Sequence, residues 1–315
     1  MNFRSTAALA VALGLATYSM SAAAQKSKDT VRFALEEAPK TLITSEDPRA
    51  DTMMMEDAVF RTPFCLNPAT NRYDPDGATS WAWKDDKTLE MKIRTDMQFS
   101  DGMPVTVDDV IYTLRWRVDP ASKLRFASSD QDWFASAEKV DNSTLLIRSR
   151  RVAPDGMSRL AALPILPSHV HGKLADKSTF SRTNPVTNGP YKVASFDQAG
   201  VSLVRNEAFV STSPCRAKPK IANARLVPVP DLQTQLAHLM TDGLDIVRST
   251  TKDVSEAYSN DPRFTVTATQ GFQLFYLSMD TINRSGNKAL SDKRVRQADR
   301  QGRFRRLADS GREVL

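Results

Sequence analysis

Residues 99–118, FSDGMPVTVDDVIYTLRWRV, hold a turn, a helix start and a helix face in one run. Asp101-Gly102 signals a turn, Pro104 cannot continue a strand ladder, and Thr106 stands at the capping-box distance from Asp109. A helix is expected to begin there. Val107, Val110, Ile111, Leu114 and Val118 fall at i, i+3, i+4, i+7 and i+11, an apolar stripe that Asp108, Asp109, Arg115 and Arg117 largely avoid. The helix is therefore expected to pack on one side. Its acids occupy the first turn, where the helix dipole favours them, so on physics alone this is a structural unit and no reaction centre.

Upstream, residues 31–35 (VRFAL) alternate as a first strand that ends at Glu36-Glu37-Ala38-Pro39. Residues 52–60 suit a helix. Its Met53-Met54-Met55 run reads as core filling, because consecutive helical residues splay apart and do not converge on one metal ion. Residues 81–83 and 89–94 alternate as strands leading into the opening helix. Downstream, residues 137–140 and 144–147 form an expected hairpin across Asp141-Asn142-Ser143. Residues 191–196, 201–206 and 225–230 read as strands. Asp231 is an expected cap for a helix carrying Leu232, Leu236 and Leu239, with Gly243 as its stop and a strand at 244–247.

Several of these stretches carry a resemblance. The run F-S-D-G-x-P-x-T-x-D-D-V looks like the signature of the family 5 extracellular solute-binding proteins, the receptors of oligopeptide, dipeptide and nickel ABC importers. The preceding strands with Trp81 and Trp83, the Leu163-Pro164 segment before His169, and the 290–298 helix start (LSDKRVRQA) look similar to passages of that family. So does the stretch from Asn184-Pro185 to Gly189-Pro190-Tyr191, although Thr187-Asn188 stand where the family usually has Gly-Thr. The likeness runs from about Val31 to Ala298.

It implies an α/β, periplasmic binding protein-like two-lobed fold (type II, cluster C-like), with lobe I nearly complete and lobe II mostly missing. The expected organisation is a signal peptide over 1–24, lobe I over 25–270 with an inserted subdomain at about 61–184, a crossover into lobe II at 271–298, and an aberrant basic tail at 299–315. The tail suggests a reading-frame shift after Ala298. The implied function is that of the periplasmic binding component of an ABC importer, first of all for peptides, with binding impaired by truncation. A non-functional remnant, or a receptor for nickel complexes, opines or sugars, is the alternative. Partners would be the solute and an inner-membrane permease, with the chain a monomer and no cofactor. Family loops after the first strand border the ligand cleft, which makes Glu37 and Thr41 candidate ligand residues. Trp133 is a candidate to stack on a ligand, against the competing reading of a packing aromatic. Phe272 and Tyr276, in a strand-forming stretch at the lobe crossover, complete the set.

Composition is compatible with all of this. The chain has 315 residues, 41% of them hydrophobic and 25% charged, within the range of ordinary globular proteins. Its net charge of +6 lies largely in residues 292–315, where eight Lys/Arg face four acids, so the body gives no argument for nucleic-acid binding. Arg4, the apolar run at 6–18 and small residues before Gln25 suit a secretory signal peptide cut after Ala24. Cys65 and Cys215 are the only cysteines. Spacing says nothing of their proximity, and two separate buried thiols are the favoured reading over a disulfide. His169, His171 and His238 lack the convergent partners of a zinc site, and no nucleophile elbow, metal motif or phosphate-cradling loop marks an enzyme.

Overall fold

The computed structural model describes residues 29–309 apart from 68, 125–126, 184, 212, 214, 249, 269–277 and 287. The chain divides into two compact units, the first ending at Thr250 and the second beginning at Thr251.

The first unit begins with β1 (Thr30–Leu35), then α1 (Ala50–Val59) and a hairpin of β2 (Phe64–Asn67) and β3 (Arg72–Pro75). Next come β4 (Ala78–Asp85), β5 (Thr88–Ile93), α2 (Val107–Val118), α3 (Ala127–Trp133), β6 (Phe134–Lys139) and β7 (Thr144–Ser149). The short α4 (Gly156–Ala161) and α5 (Phe180–Thr183) lead to β8 (Tyr191–Asp197), β9 (Gly200–Arg205), β10 (Asn223–Pro228) and α6 (Leu232–Met240). Two four-stranded sheets result. One has the order β1-β10-β9-β8, the other β4-β5-β7-β6. In the first, β1 lies parallel to β10 with Phe33 opposite Leu226, and β9 runs antiparallel to both its neighbours. Ile246 adds a parallel bridge to Phe33 on the far edge of β1, where a full strand was expected.

Each sheet has its own core. Leu89, Met91, Leu145 and Ile147 bury the inner face of the second sheet against Val107, Val110, Ile111 and Leu114 of α2, the predicted stripe. Leu35, Met55, Phe60, Phe180 and Leu226 fill the other. Helix α2 belongs to both. Trp116 is buried in the first sheet's cluster with Tyr112 packed beside it, so the expectation of packing on one side is corrected. The cause is a bulky aromatic pair on the face that the charged residues had marked as outward.

The start of α2 is held as its sequence foretold: Thr106 N donates to Asp109 Oδ2 at 2.8 Å and the Thr106 hydroxyl donates to the same oxygen. Asp109 does more than cap. It is 2% exposed, and its Oδ1 accepts from Ser168 N at 2.9 Å and Ser168 Oγ at 2.7 Å, tying the 163–171 segment to the helix. Pro104 does take part in a bridge, with Gln98, because its missing N–H is not used: Phe99 N donates to Met103 O. The methionines of α1 splay as expected, Met55 fully buried and Met53 exposed. At the end of α6 the left-handed residue is Asp242 (φ 56°), whereas Gly243 is held by an N–H bond to His238 O.

Gly189 shows why its motif carries a glycine. A Cβ there would lie 2.4 Å from the backbone carbon of Val59, since Gly189 N donates to Val59 O at 2.7 Å. Asn188 beside it is buried, accepting from Arg61 N at 2.9 Å and donating to Ile165 O at 3.0 Å. The turn thus locks the end of α1 to both flanking segments.

Cys65 and Cys215 form a disulfide with Cα atoms 6.3 Å apart and 150 residues of separation, which corrects the reading of two separate thiols. The bond staples β2 to the segment after β9. Close by, Asp76, with no exposed surface, receives Arg61 Nη1 at 2.5 Å and Arg216 Nε at 2.8 Å. Arg61 also stacks on Phe209, 4.1 Å from the ring centroid, and burial lowers its pKa.

The second unit holds α7 (Lys252–Ser259), capped by Thr251 Oγ1, and α8 (Lys293–Asp309). Among the described residues no helix is long and apolar enough to cross a membrane.

Candidate functional site

In α/β sheets, ligands bind outside the carboxyl ends of the strands, where loops held by a rigid scaffold meet. Here β1 and β10 end side by side, Leu35 opposite Pro228, and the Ile246 bridge runs in the same direction. The chain leaving β1 turns through Glu36 and Glu37 toward α1, whose first turn points its carboxylate back at the strand ends. Asp51, only 4% exposed, accepts from Glu36 N at 2.8 Å and pairs with Arg248, two residues beyond the bridge. Three separate stretches of sequence therefore converge on one carboxylate.

Around that anchor lie exposed charges. Glu37, with 59% of its side chain open to water, pairs with Arg49 at 2.7 Å and more loosely with Lys40 at 3.8 Å. Arg49 also grips Asp47 at 2.6 Å, and the hydrogen bond to Asp47 is the main reason its pKa is raised. Glu37 and Lys40 offer both signs of charge to a solute, while half-buried Arg248 is held by Asp51. Surface pairs of this kind are worth little to stability, which leaves them free to exchange partners.

Thr41 shares the loop but faces inward. It is 4% exposed, its hydroxyl donates to Glu46 at 2.5 Å, and it lies 3.1 Å from Ser181 Oγ. Burial raises the Glu46 pKa, against the opposing effect of that bond. Trp133 lies elsewhere, 3% exposed in the core of the second sheet with its ring beside Phe134 at 6.2 Å. No ring face is left open for stacking. Phe272 and Tyr276 lie outside the described residues. The structure thus joins Glu37 and Thr41 in one loop and sets Trp133 apart.

Sequence reading missed Asp51, Arg49 and Arg248. Arg248 did carry a signal, since it follows a short strand and so had to sit at a strand end. Asp51 carried none, because an acid in a helix's first turn is commonplace.

A larger cleft of about 840 Å³ runs along the outer side of α1, lined by Met53, Glu56, Asp57, Arg117, Tyr191 and Arg216 among others. Its arginines are already spent, Arg117 on Asp130 at 2.9 Å and Arg216 on Asp76. Burial pushes the Glu56 carboxyl up to about 7, with Thr44 N donating to it at 2.7 Å. That bond makes Glu56 a brace for the 41–46 loop. The strand-end face, with its open charges, is the stronger candidate. Among the described residues no group of three or more His, Cys, Asp or Glu side chains could hold a metal ion.

Comparison with known proteins agrees with the motifs. The family model described as bacterial extracellular solute-binding proteins, family 5 middle, matches residues 72–298. The chain belongs to this family. Its members are extracellular solute-binding receptors of ABC importers. The chain is 25% identical over 183 residues to the oligopeptide-binding protein OppA of Bacillus subtilis, covering 51% of this chain and 32% of that one. Among solved structures, NikZ of Campylobacter jejuni in complex with Ni(L-His) superposes with a TM-score of 0.71 at 23% identity, over 86% of this chain and 52% of NikZ. AppA of Bacillus subtilis in complex with a nonapeptide gives 0.66 at 18% identity, over 74% of this chain and 46% of AppA. The fold is therefore the type II periplasmic binding protein fold, and the chain spans less than half of the length of the curated relatives it matches.

Proposed function

We propose that this chain supplies one side of the solute site of an ABC-importer receptor whose solute is a peptide, and that it works after export to the periplasm with residues 1–24 removed. Residues 25–270 would form lobe I, with an insertion at about 61–184, and 271–298 the crossover. The partners are the peptide and an inner-membrane permease, the receptor acts as a monomer, and catalysis forms no part of the reading. The observation that carries it is the pair of exposed Glu37 and Lys40 beside the Asp51–Arg248 anchor at the strand ends, charges of both signs that suit a zwitterionic solute. Similar proteins named for oligopeptides support the choice of solute. The neighbour bound to Ni(L-His) supports a second reading, a metal–amino-acid complex.

A solute gripped by these residues alone stays open to water on its other side, since sequestration in such folds comes from closure of two lobes. Binding by the purified chain is therefore expected to be weaker than micromolar. Titrating tri- and tetrapeptides, nickel–histidine and an opine by NMR perturbation tests this. Peptide shifts at loop 36–41, weakened by Glu37→Gln with Lys40→Ala, are the expected result. Response to nickel–histidine or opine alone, or peptide shifts untouched by the double substitution, overturns the peptide reading.

A further inference from the structure

The cleft of about 840 Å³ beside α1 has the size of a small-molecule site, and Met53, Leu66, Leu124 and Tyr191 make much of its lining apolar. The charged groups of that lining are paired, with one exception. Arg117 is held by Asp130 at 2.9 Å and Arg216 by Asp76 at 2.8 Å, while the exposed Asp57 lies 3.9 Å from Arg216. Glu56 remains. It is 7% exposed and has no cationic partner among the described residues. Its Oε2 accepts from Thr44 N at 2.7 Å, and the Thr44 hydroxyl beside it makes no well-formed hydrogen bond. A buried carboxylate without a counter-charge is costly to ionise, which is why burial pushes this one up to about 7. A cation brought into the cleft removes that cost.

We propose that this cleft binds a small organic ammonium ion, its charged head against Glu56 and Thr44 and its apolar body along Met53, Leu66 and Leu124. An ammonium group has three donors and no acceptor, which matches a carboxylate and a hydroxyl with lone pairs to spare. A metal ion fits less well, since among the described residues no group of three or more His, Cys, Asp or Glu side chains could hold one. A zwitterion fits less well too. Both arginines of the lining are committed to carboxylates of the chain, which leaves no cation for a ligand's own carboxylate. The ligand is therefore an amine that lacks a carboxylate, chemically distinct from the solute proposed at the strand ends, and the inference does not rest on that proposal.

The test is NMR titration of the whole chain with phenethylamine and with its neutral analogue phenethyl alcohol, at about pH 8, where Glu56 is ionised. Amine-induced shifts at the Met53 methyl and the Tyr191 ring are expected, with the alcohol weaker by about tenfold or more. Glu56→Gln, whose amide oxygen still accepts from Thr44 N, should weaken the amine about thirtyfold and leave the alcohol unchanged, one partner of a buried charge pair counting for at least that much. Met53→Lys, at an exposed position three residues before Glu56 on α1, sets a tethered ammonium in the cleft and should weaken the amine about tenfold. Lys and Met have similar helix propensities, and circular dichroism verifies that each variant is folded; if Glu56→Gln is not, Met53→Lys decides. Equal affinity for amine and alcohol, an unchanged amine affinity in a folded variant, or no amine-induced shifts in the cleft at millimolar concentration would each overturn the proposal.

Discussion

Replacing both Cys65 and Cys215 by alanine removes a cross-link between residues 150 positions apart. Closing a loop of that length lowers the entropy of the unfolded chain by about 17 cal/mol/K, or about 5 kcal/mol at room temperature. The native geometry does not need the bond to hold its ends. Arg216, next to Cys215, reaches Asp76 at 2.8 Å and donates to Phe60 O at 2.8 Å, so the 215–219 segment stays seated without the sulfurs. The loss is thus assigned to the unfolded state, less whatever residual structure the unlinked denatured chain keeps, and about 3–5 kcal/mol is expected. Urea unfolding followed by both fluorescence and circular dichroism measures it, comparing the oxidised wild type with the double variant. A thiol reductant should bring the wild type down to the variant and leave the variant itself unchanged. Two reactive thiols in the denatured, unreduced wild type, or a difference under about 1 kcal/mol, would refute the reasoning.

Other perturbations probe the same body. Asp76→Asn leaves the buried Arg61 guanidinium without its counter-charge and Arg216 with only Asp57 at 3.9 Å, and is expected to cost about 3–5 kcal/mol, read as a lower urea midpoint at constant slope. A loss below about 1 kcal/mol would mean that water reaches the pair. His171, with no exposed surface among Trp116, Phe180 and Tyr112, has its pKa lowered from 6.5 to about 4, chiefly by burial. A depressed base is neutral when folded and protonates first when unfolded. Its contribution is therefore intact above pH 6.5 and lost as pH falls toward 4, about 3 kcal/mol in all. Glu56 slopes the other way, its contribution full below pH 4.5 and lost as pH rises through about 7, so His171 is best followed by its own ring resonances. An NMR midpoint near 6.5 would contradict its burial.

Much of the fold was legible because it is written in local terms. Residues 99–118 contained their own turn, cap and apolar stripe, and Asp231 announced α6 by the same logic: its Oδ1 accepts from Thr234 N at 2.8 Å. The loop holding Glu37 was legible too, since a strand end is visible as the end of an alternation. What could not be read was anything that depends on two distant stretches meeting. Trp116 lies off the apolar stripe, and only the first sheet beside it buries it. Asp109 looked like a cap alone until Ser168 came within hydrogen-bond reach.

By itself the sequence determined β1, α1, β4 to β7, β8 to β10 and the capping of α2 and α6, because periodicity, caps and turn residues act over a few positions of chain, and its motifs carried the likeness to the family. Only the tertiary structure decided that Cys65 meets Cys215, that Asp76 binds two arginines, that Asp51 gathers Glu36 and Arg248, and that Thr41 and Trp133 turn inward. Those outcomes rest on distances between residues up to about 200 positions apart, which the packing of two sheets around a shared helix sets and no local pattern encodes.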